Sequence, residues 1–334
     1  MTGARLLVAA LRDPASAASL DARQWTSLIA AARAESLIGS LAWRLEGQAL
    51  PERAARLLDD ARRDHDQGRV QALWEAEMAR RALEPLGVPV ILLKGTAYAA
   101  AGLPASAGRS IGDLDILVPR ASLDSVQEAL LGAGWEWVKA DDYDDLYYRR
   151  WMHELPPLIH RERDRMIDVH HTILPLTATP TPDAAAMIAD SVALDNGLRV
   201  LCREDMVIHA ACHLFADGDL AGGLRNLWDI DRLARAFARE PGFWDRLRER
   251  RRRHQLSGPT ARALRLAAFL YGTPVAGVGG LTLADRLFAL RLLARNGWGQ
   301  ETRPFLRLAF YVRSHWLRMP PLMLARHLWV KATR

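Results

Sequence analysis

LLKGTAYAAAGLPASAGRSIGDLDILV, residues 92–118, is the stretch on which the fold turns. It completes VPVILL, a short apolar run rich in β-branched residues that begins at Val88. Lys94-Gly95-Thr96 then leads into an alanine-rich segment from Ala97 to Ala101. Apolar run, glycine turn and alanine-rich stretch predict strand, tight turn and helix. GLPASAGRSIG is loop-like. DLDILV alternates, so Asp113, Asp115 and Leu117 fall on one face of a strand and Leu114, Ile116 and Val118 on the other. Further on, PPLIH, a charged turn over Arg161 to Arg165, and MIDVHH predict a hairpin. Met166, Asp168 and His170 share one face of its second strand.

Outward from this core the texture is helical. Asp21 is a candidate N-cap for a helix through Trp25, Leu28, Ile29 and Ala32. Pro51 opens a longer pattern that Pro85 and Gly87 end. Residues 121–131 predict a helix closed by Gly132 or Gly134, and WEWV the next strand. The acidic run 141–145 reads as a solvated loop, and PLTATPTPD near 175–183 as a linker. From about 183 the pattern is helical again. The expected class is α+β: a small mixed β-sheet core at 86–178, a helical N-terminal region at 1–85 and a helical C-terminal domain at 179–334.

Composition narrows the setting. The chain has 334 residues, with 45 basic against 39 acidic, and its two cysteines, Cys202 and Cys212, provide no disulfide framework or metal-finger spacing. A reducing, cytoplasmic location is the expectation. The N-terminal stretch is too weakly apolar for a secretory signal, and no run supplies the ~20 apolar residues of a membrane-spanning helix. The most apolar run, Leu266 to Leu281, is broken by glycines and Pro274, and reads as a buried helix and a loop. From Arg286 onward there are ten basic residues and one acid, Glu301. This basic tail suits either an acidic partner (RNA or a membrane surface) or a packed amphipathic helix.

The chemistry lies in the carboxylates. Phosphoryl and nucleotidyl transfer asks the protein mainly for charge and placement, and magnesium is held by hard oxygen ligands that leave room for phosphate oxygens. Acids at i and i+2 on a strand share a face with Cβ atoms ~7 Å apart. That suits Asp113 and Asp115 to one or two divalent ions, with Asp168 as a third carboxylate from a neighbouring strand. A Lys-Gly turn at a helix start offers a cation and backbone N–H groups to a phosphate.

With these residues in this order, the stretch resembles the uncharacterised bacterial nucleotidyltransferase family of the DNA polymerase β-like superfamily. It is also similar to nucleotidyltransferase toxins of abortive-infection systems, which share Lys-Gly and R-x-x-x-D-x-D. The likeness spans roughly residues 30–270 in texture and is sharp over Lys94 to Val118 and Ile167 to His170. It implies that Asp113 and Asp115 bind metal. Asp168 would be shared between metal binding and activation of the attacking hydroxyl. Lys94, Gly95 and Thr96 would hold a nucleoside triphosphate, with Arg109 steadying phosphates or the acidic cluster. Many superfamily members carry Gly-Ser where this chain has Lys94-Gly95-Thr96. The implied cofactor is Mg2+, in a two-ion site, with an NTP as co-substrate. The acceptor, whether small molecule, protein or RNA, stays open. The alternative is a non-catalytic module that binds a nucleotide or a partner and keeps the fold.

Each residue also has a plainer reading. Asp168 would pair with Arg163 or Arg165, and Arg109 with Asp113 or Asp115. Lys94 would be a surface lysine and His170 a core hydrogen-bonder. His209 and His213 have the spacing of a zinc pair but lack a third ligand at a telling distance, so packing is expected. Asp229 and Asp231 lie in a helical pattern, where residues two apart diverge by ~200° and cannot share an ion. They are expected to pair with Arg225, Arg232 or Arg235.

Overall fold

A computed structural model describes residues 2–139, 148–216 and 219–318; the acidic run 141–145 and the end of the basic tail lie outside them. The chain opens with four helices: α1 (Gly3–Arg12), α2 (Ala22–Ala34), α3 (Ile38–Arg44) and α4 (Glu52–Leu83). Asp21 caps α2 in a reciprocal box with Gln24, as its position predicts. Pro51 precedes α4, and Gly87 closes the segment with φ +62°, a backbone state that costs glycine little.

Next come β1 (Ile91–Leu92), α5 (Lys94–Ala100), β2 (Leu114–Leu117), α6 (Leu123–Gly132), β3 (Trp135–Trp137), β4 (Leu158–His160) and β5 (Met166–His170). The expected hairpin is present: β4 and β5 are antiparallel, with Leu158 opposite Ile167. After α7 (Ala184–Ala189) the chain departs from the helical expectation. β6 (Val192–Ala193) and β7 (Arg199–Val200) return to the sheet, with β7 parallel to β1. Two-residue strands show no alternation, which is why the sequence pattern hides them. The seven strands run β3-β4-β5-β2-β1-β7-β6, a mixed order.

Helices follow among the described residues: α8 (Arg203–Ala216), α9 (Gly223–Phe237), α10 (Phe243–Arg253), α11 (Ser257–Tyr271), α12 (Leu283–Leu292) and α13 (Pro304–Arg318). The run Leu266 to Leu281 is the buried end of α11 followed by a loop, as expected. No helix among the described residues is long and apolar enough to cross a membrane. Phe305, Leu308 and Trp316 of α13 are exposed, while Phe310 is buried.

One continuous core joins the N-terminal helices to those after β7. Glu35, at the end of α2, is buried and takes Arg295 at 2.6 Å and the Leu224 N–H at 3.1 Å. The turn-rich loop before β2 is fixed from three sides. Gly108, with φ +68°, lies so close to the Gly39 backbone that a Cβ would stand 2.2 Å from it. His65 of α4 reaches the Ser106 carbonyl at 3.2 Å, and Asp229 of α9 holds Arg109. These ties set the position from which Asp113 enters β2.

Candidate active site

Backbone register builds the site. β2 and β5 run parallel, with Asp115 directly beside Asp168 and Leu117 beside His170. Adjacent residues in register put their side chains on the same face, so one face of the sheet receives both acids. Asp113, just ahead of β2 and exposed, completes the group: one carboxylate oxygen from each of Asp113, Asp115 and Asp168 lies within 4.8 Å of the others. Asp168 is not drawn off to the hairpin arginines. Arg163 bonds Glu75 at 2.8 Å, and Arg165 bonds Gln71.

The β1–β2 pairing also sets Lys94. The Leu93 N–H donates to the Asp115 carbonyl at 3.0 Å, which holds the next residue over the acids. Lys94 adopts φ +48°, unusual for a residue with a side chain, and its Nζ lies 2.6 Å from Asp115 Oδ1. His170 Nε2 contacts the same oxygen at 2.9 Å, so Asp115 Oδ2 is committed to neither.

Electrostatics follow from four acids in a small volume, since Glu154 joins the three aspartates. Burial pushes Asp115 up, but Lys94 and the His170 hydrogen bond outweigh it and hold its carboxyl well below the usual range. Asp168 goes the other way: burial, with Asp115 and Glu154 adding to it, pushes its carboxyl up to about 7. Lys94 is raised despite burial, because Asp115, Asp113 and Asp168 surround it. Lys94 faces three of these carboxylates at once. That donor set, hard oxygens close to one another, fits a divalent cation with magnesium–oxygen bonds of about 2.0–2.1 Å.

Two cavities meet at Lys94. One, of 250 Å³, is lined by Lys94, Gly95, Arg109, Asp113, Asp115 and Arg225 among others. The second, of 220 Å³, is lined by Lys94, Glu154, Asp168, His170, His209 and His213 among others.

The remaining expected contacts divide. Gly95 lines the first cavity and has a packing reason to be glycine: a Cβ there would fall 1.9 Å from Arg109 Nη1. Thr96 differs from expectation. It is buried at 1% exposure and does not line that cavity, because the third residue of α5 turns toward the core. Arg109 also differs in its partner. Its Nε donates to Asp229 Oδ2 at 2.8 Å, both side chains being buried, rather than to Asp113 or Asp115. Asp229 was expected to pair with an arginine of its own helix; only Asp231 does so, with Arg232 and Arg235 at 2.8 Å. His209 is buried and His213 half-buried on α8, and both line the second cavity and stay neutral. Burial first, then Lys94, lowers His209 to about 3 and His213 well below its ordinary value.

Arg225, Glu154 and His153 escaped the sequence reading as site residues. Arg225 comes from α9, far along the chain, and its Nη1 reaches the Ser110 carbonyl at 3.3 Å. Glu154 enters through an isolated bridge to His170.

A family model described as uncharacterised nucleotidyltransferase matches residues 21–272. The chain belongs to that family. The match includes both carboxylate strands, the Lys94-Gly95 turn and α9. It ends at Gly272, the cap of α11, leaving α1, α12 and α13 outside. No curated protein matches the chain.

Proposed function

We propose that this member of the family is a magnesium-dependent nucleotidyltransferase. It moves a nucleoside monophosphate from an NTP to an acceptor hydroxyl with release of pyrophosphate. The observation carrying this reading is the register of β2 against β5, which sets Asp115 beside Asp168 with Asp113 within reach of both. Mg2+ bound by these three carboxylates would neutralise triphosphate charge and make the acceptor hydroxyl easier to deprotonate.

The residues of the chain do the rest. Lys94 and Arg225 give the cavity beside Asp113 and Asp115 a positive wall, suited to phosphate oxygens. Arg109 supports that wall, since its guanidinium is held by Asp229 and packed against Gly95. Asp168 lines the other cavity, where an acceptor would enter and give up its hydroxyl proton to it. The new bond forms between the acceptor oxygen and the α-phosphorus. The bond from that phosphorus to the bridging oxygen breaks, and pyrophosphate carries the electron pair away.

Incubating the protein with Mg2+, a cell lysate and each NTP labelled at the α- or the γ-phosphate tests the reading. Label should reach an RNA, protein or metabolite fraction from the α-labelled triphosphate alone, and Asp113→Asn should abolish it. Transfer from the γ-position would mean a kinase. No transfer of either label, with NTP binding intact, would point to the binding-module alternative.

A further inference from the structure

We propose that His153, Glu154 and His170 form a second cation site, suited to a divalent transition metal of the zinc type and chemically distinct from the three-aspartate cluster. One ligand atom from each of the three lies within 4.8 Å of the others. His170 Nδ1 is 3.2 Å from Glu154 Oε2, and His153 Nε2 is 3.6 Å from the same oxygen. Ligand atoms on a tetrahedral ion with bonds of about 2.0–2.1 Å stand roughly 3.3 Å apart, so both spacings match that edge.

The backbone holds the group in place. The Leu155 N–H donates to the Val169 carbonyl at 2.9 Å, and the His171 N–H to the His153 carbonyl at 2.9 Å. The segment bearing His153 and Glu154 is thereby laid along the end of β5. Asp115 takes His170 Nε2, which fixes the ring and leaves Nδ1 facing Glu154. A carboxylate behind a ligating histidine is the usual support of an imidazole–metal bond. At 3.2 Å, the gap between His170 Nδ1 and Glu154 is bridged by either a proton or a metal ion.

Donor chemistry separates the two sites. Imidazole nitrogens favour zinc, cobalt or nickel, whereas three carboxylates favour magnesium or manganese. Two imidazoles and one carboxylate leave a coordination position open, and the 220 Å³ cavity beside them has room for water or substrate there. The proposal does not depend on nucleotidyl transfer, and its test uses no nucleotide.

Full-length protein stripped by a chelator is titrated with Co2+ in a large excess of Mg2+, following visible absorption. The expected result is one equivalent of Co2+ giving an intense d–d band that Zn2+ displaces. Asp113→Asn should keep the band. His153→Ala and Glu154→Gln should weaken binding by roughly tenfold or more while melting like the wild type in chelator. If either variant melts early, proton NMR of the cobalt-loaded wild type decides. Two hyperfine-shifted imidazole N–H signals support the site, and fewer than two overturn it. The site is also overturned if the wild type gives no band, if excess Mg2+ abolishes it, or if both variants bind Co2+ as tightly as wild type. In those cases a proton, not a metal, lies between His170 and Glu154.

Discussion

Asp168 and Asp115 are neighbours in register, yet their environments drive them apart. Asp115 has Lys94 and His170 on one oxygen and stays ionised. Asp168 has Asp115 and Glu154 nearby, and with burial its carboxyl rises to about 7. A cation binding there must displace the proton that Asp168 holds below that value. Magnesium affinity of the nucleotide-free protein should therefore fall as pH drops through about 7, by up to roughly tenfold per unit, and level off above it. Isothermal titration between pH 5.5 and 8.5 measures this, and a flat profile would show that Asp168 is not a ligand. Much of this chemistry was legible in the chain. Alternation in DLDILV and MIDVHH is local, so it assigns each acid its face without knowledge of the partner strand. What alternation omits is who approaches from elsewhere: Glu154 and His153 arrive on an irregular segment, with no period to announce them.

At the scale of elements, the strand and helix of Ile91 to Ala100 work by close packing against a remote ion pair. The turn expected at Lys94-Gly95-Thr96 is taken into the first residues of α5, and its glycine serves Arg109 as well as the cavity. Gly95→Ala would drive a methyl group into the Arg109 guanidinium and strain its bond to Asp229. A cost of about 1–3 kcal/mol is expected in denaturant unfolding, with weaker triphosphate binding. Wild-type stability in the variant would mean that Arg109 moves freely and does not brace the site. Helical periodicity placed Asp229 and Asp231 on α9, where they meet different arginines. It could not name the partner of Asp229, because Arg109 lies 120 positions away and periodicity carries no information on distant contacts. β6 and β7 are hidden for a related reason: β7 pairs with β1 and β6 with β7, and that pairing, not any pattern in the sequence, makes them strands.

For the whole molecule, the family match at residues 21–272 is shorter than the unit the core defines. Leu7 and Leu11 of α1 are fully buried, Phe288 of α12 stacks edge-on with Phe215 and Phe310, and Arg295 neutralises the buried Glu35. A fragment cut to 21–272 strips those partners and leaves Glu35 buried without its cation. It should lose cooperative thermal unfolding, whereas the full chain should show it. A fragment that melts as cooperatively as the full chain would mean that the flanking helices are accessory. The sequence anticipated a helical beginning and end, but not that the two pack together around one core.

The proposed activity rests on three carboxylates, Asp113 ahead of β2, Asp115 on it and Asp168 on β5, closing on a cation next to a bound triphosphate. Anomalous diffraction from crystals grown with Mn2+ and a non-hydrolysable NTP analogue tests that directly. The predicted result is a manganese peak bonded to oxygens of Asp113, Asp115 and Asp168, with a triphosphate oxygen in the same coordination shell. Manganese absent from these carboxylates, or a triphosphate seated on another surface, would contradict it.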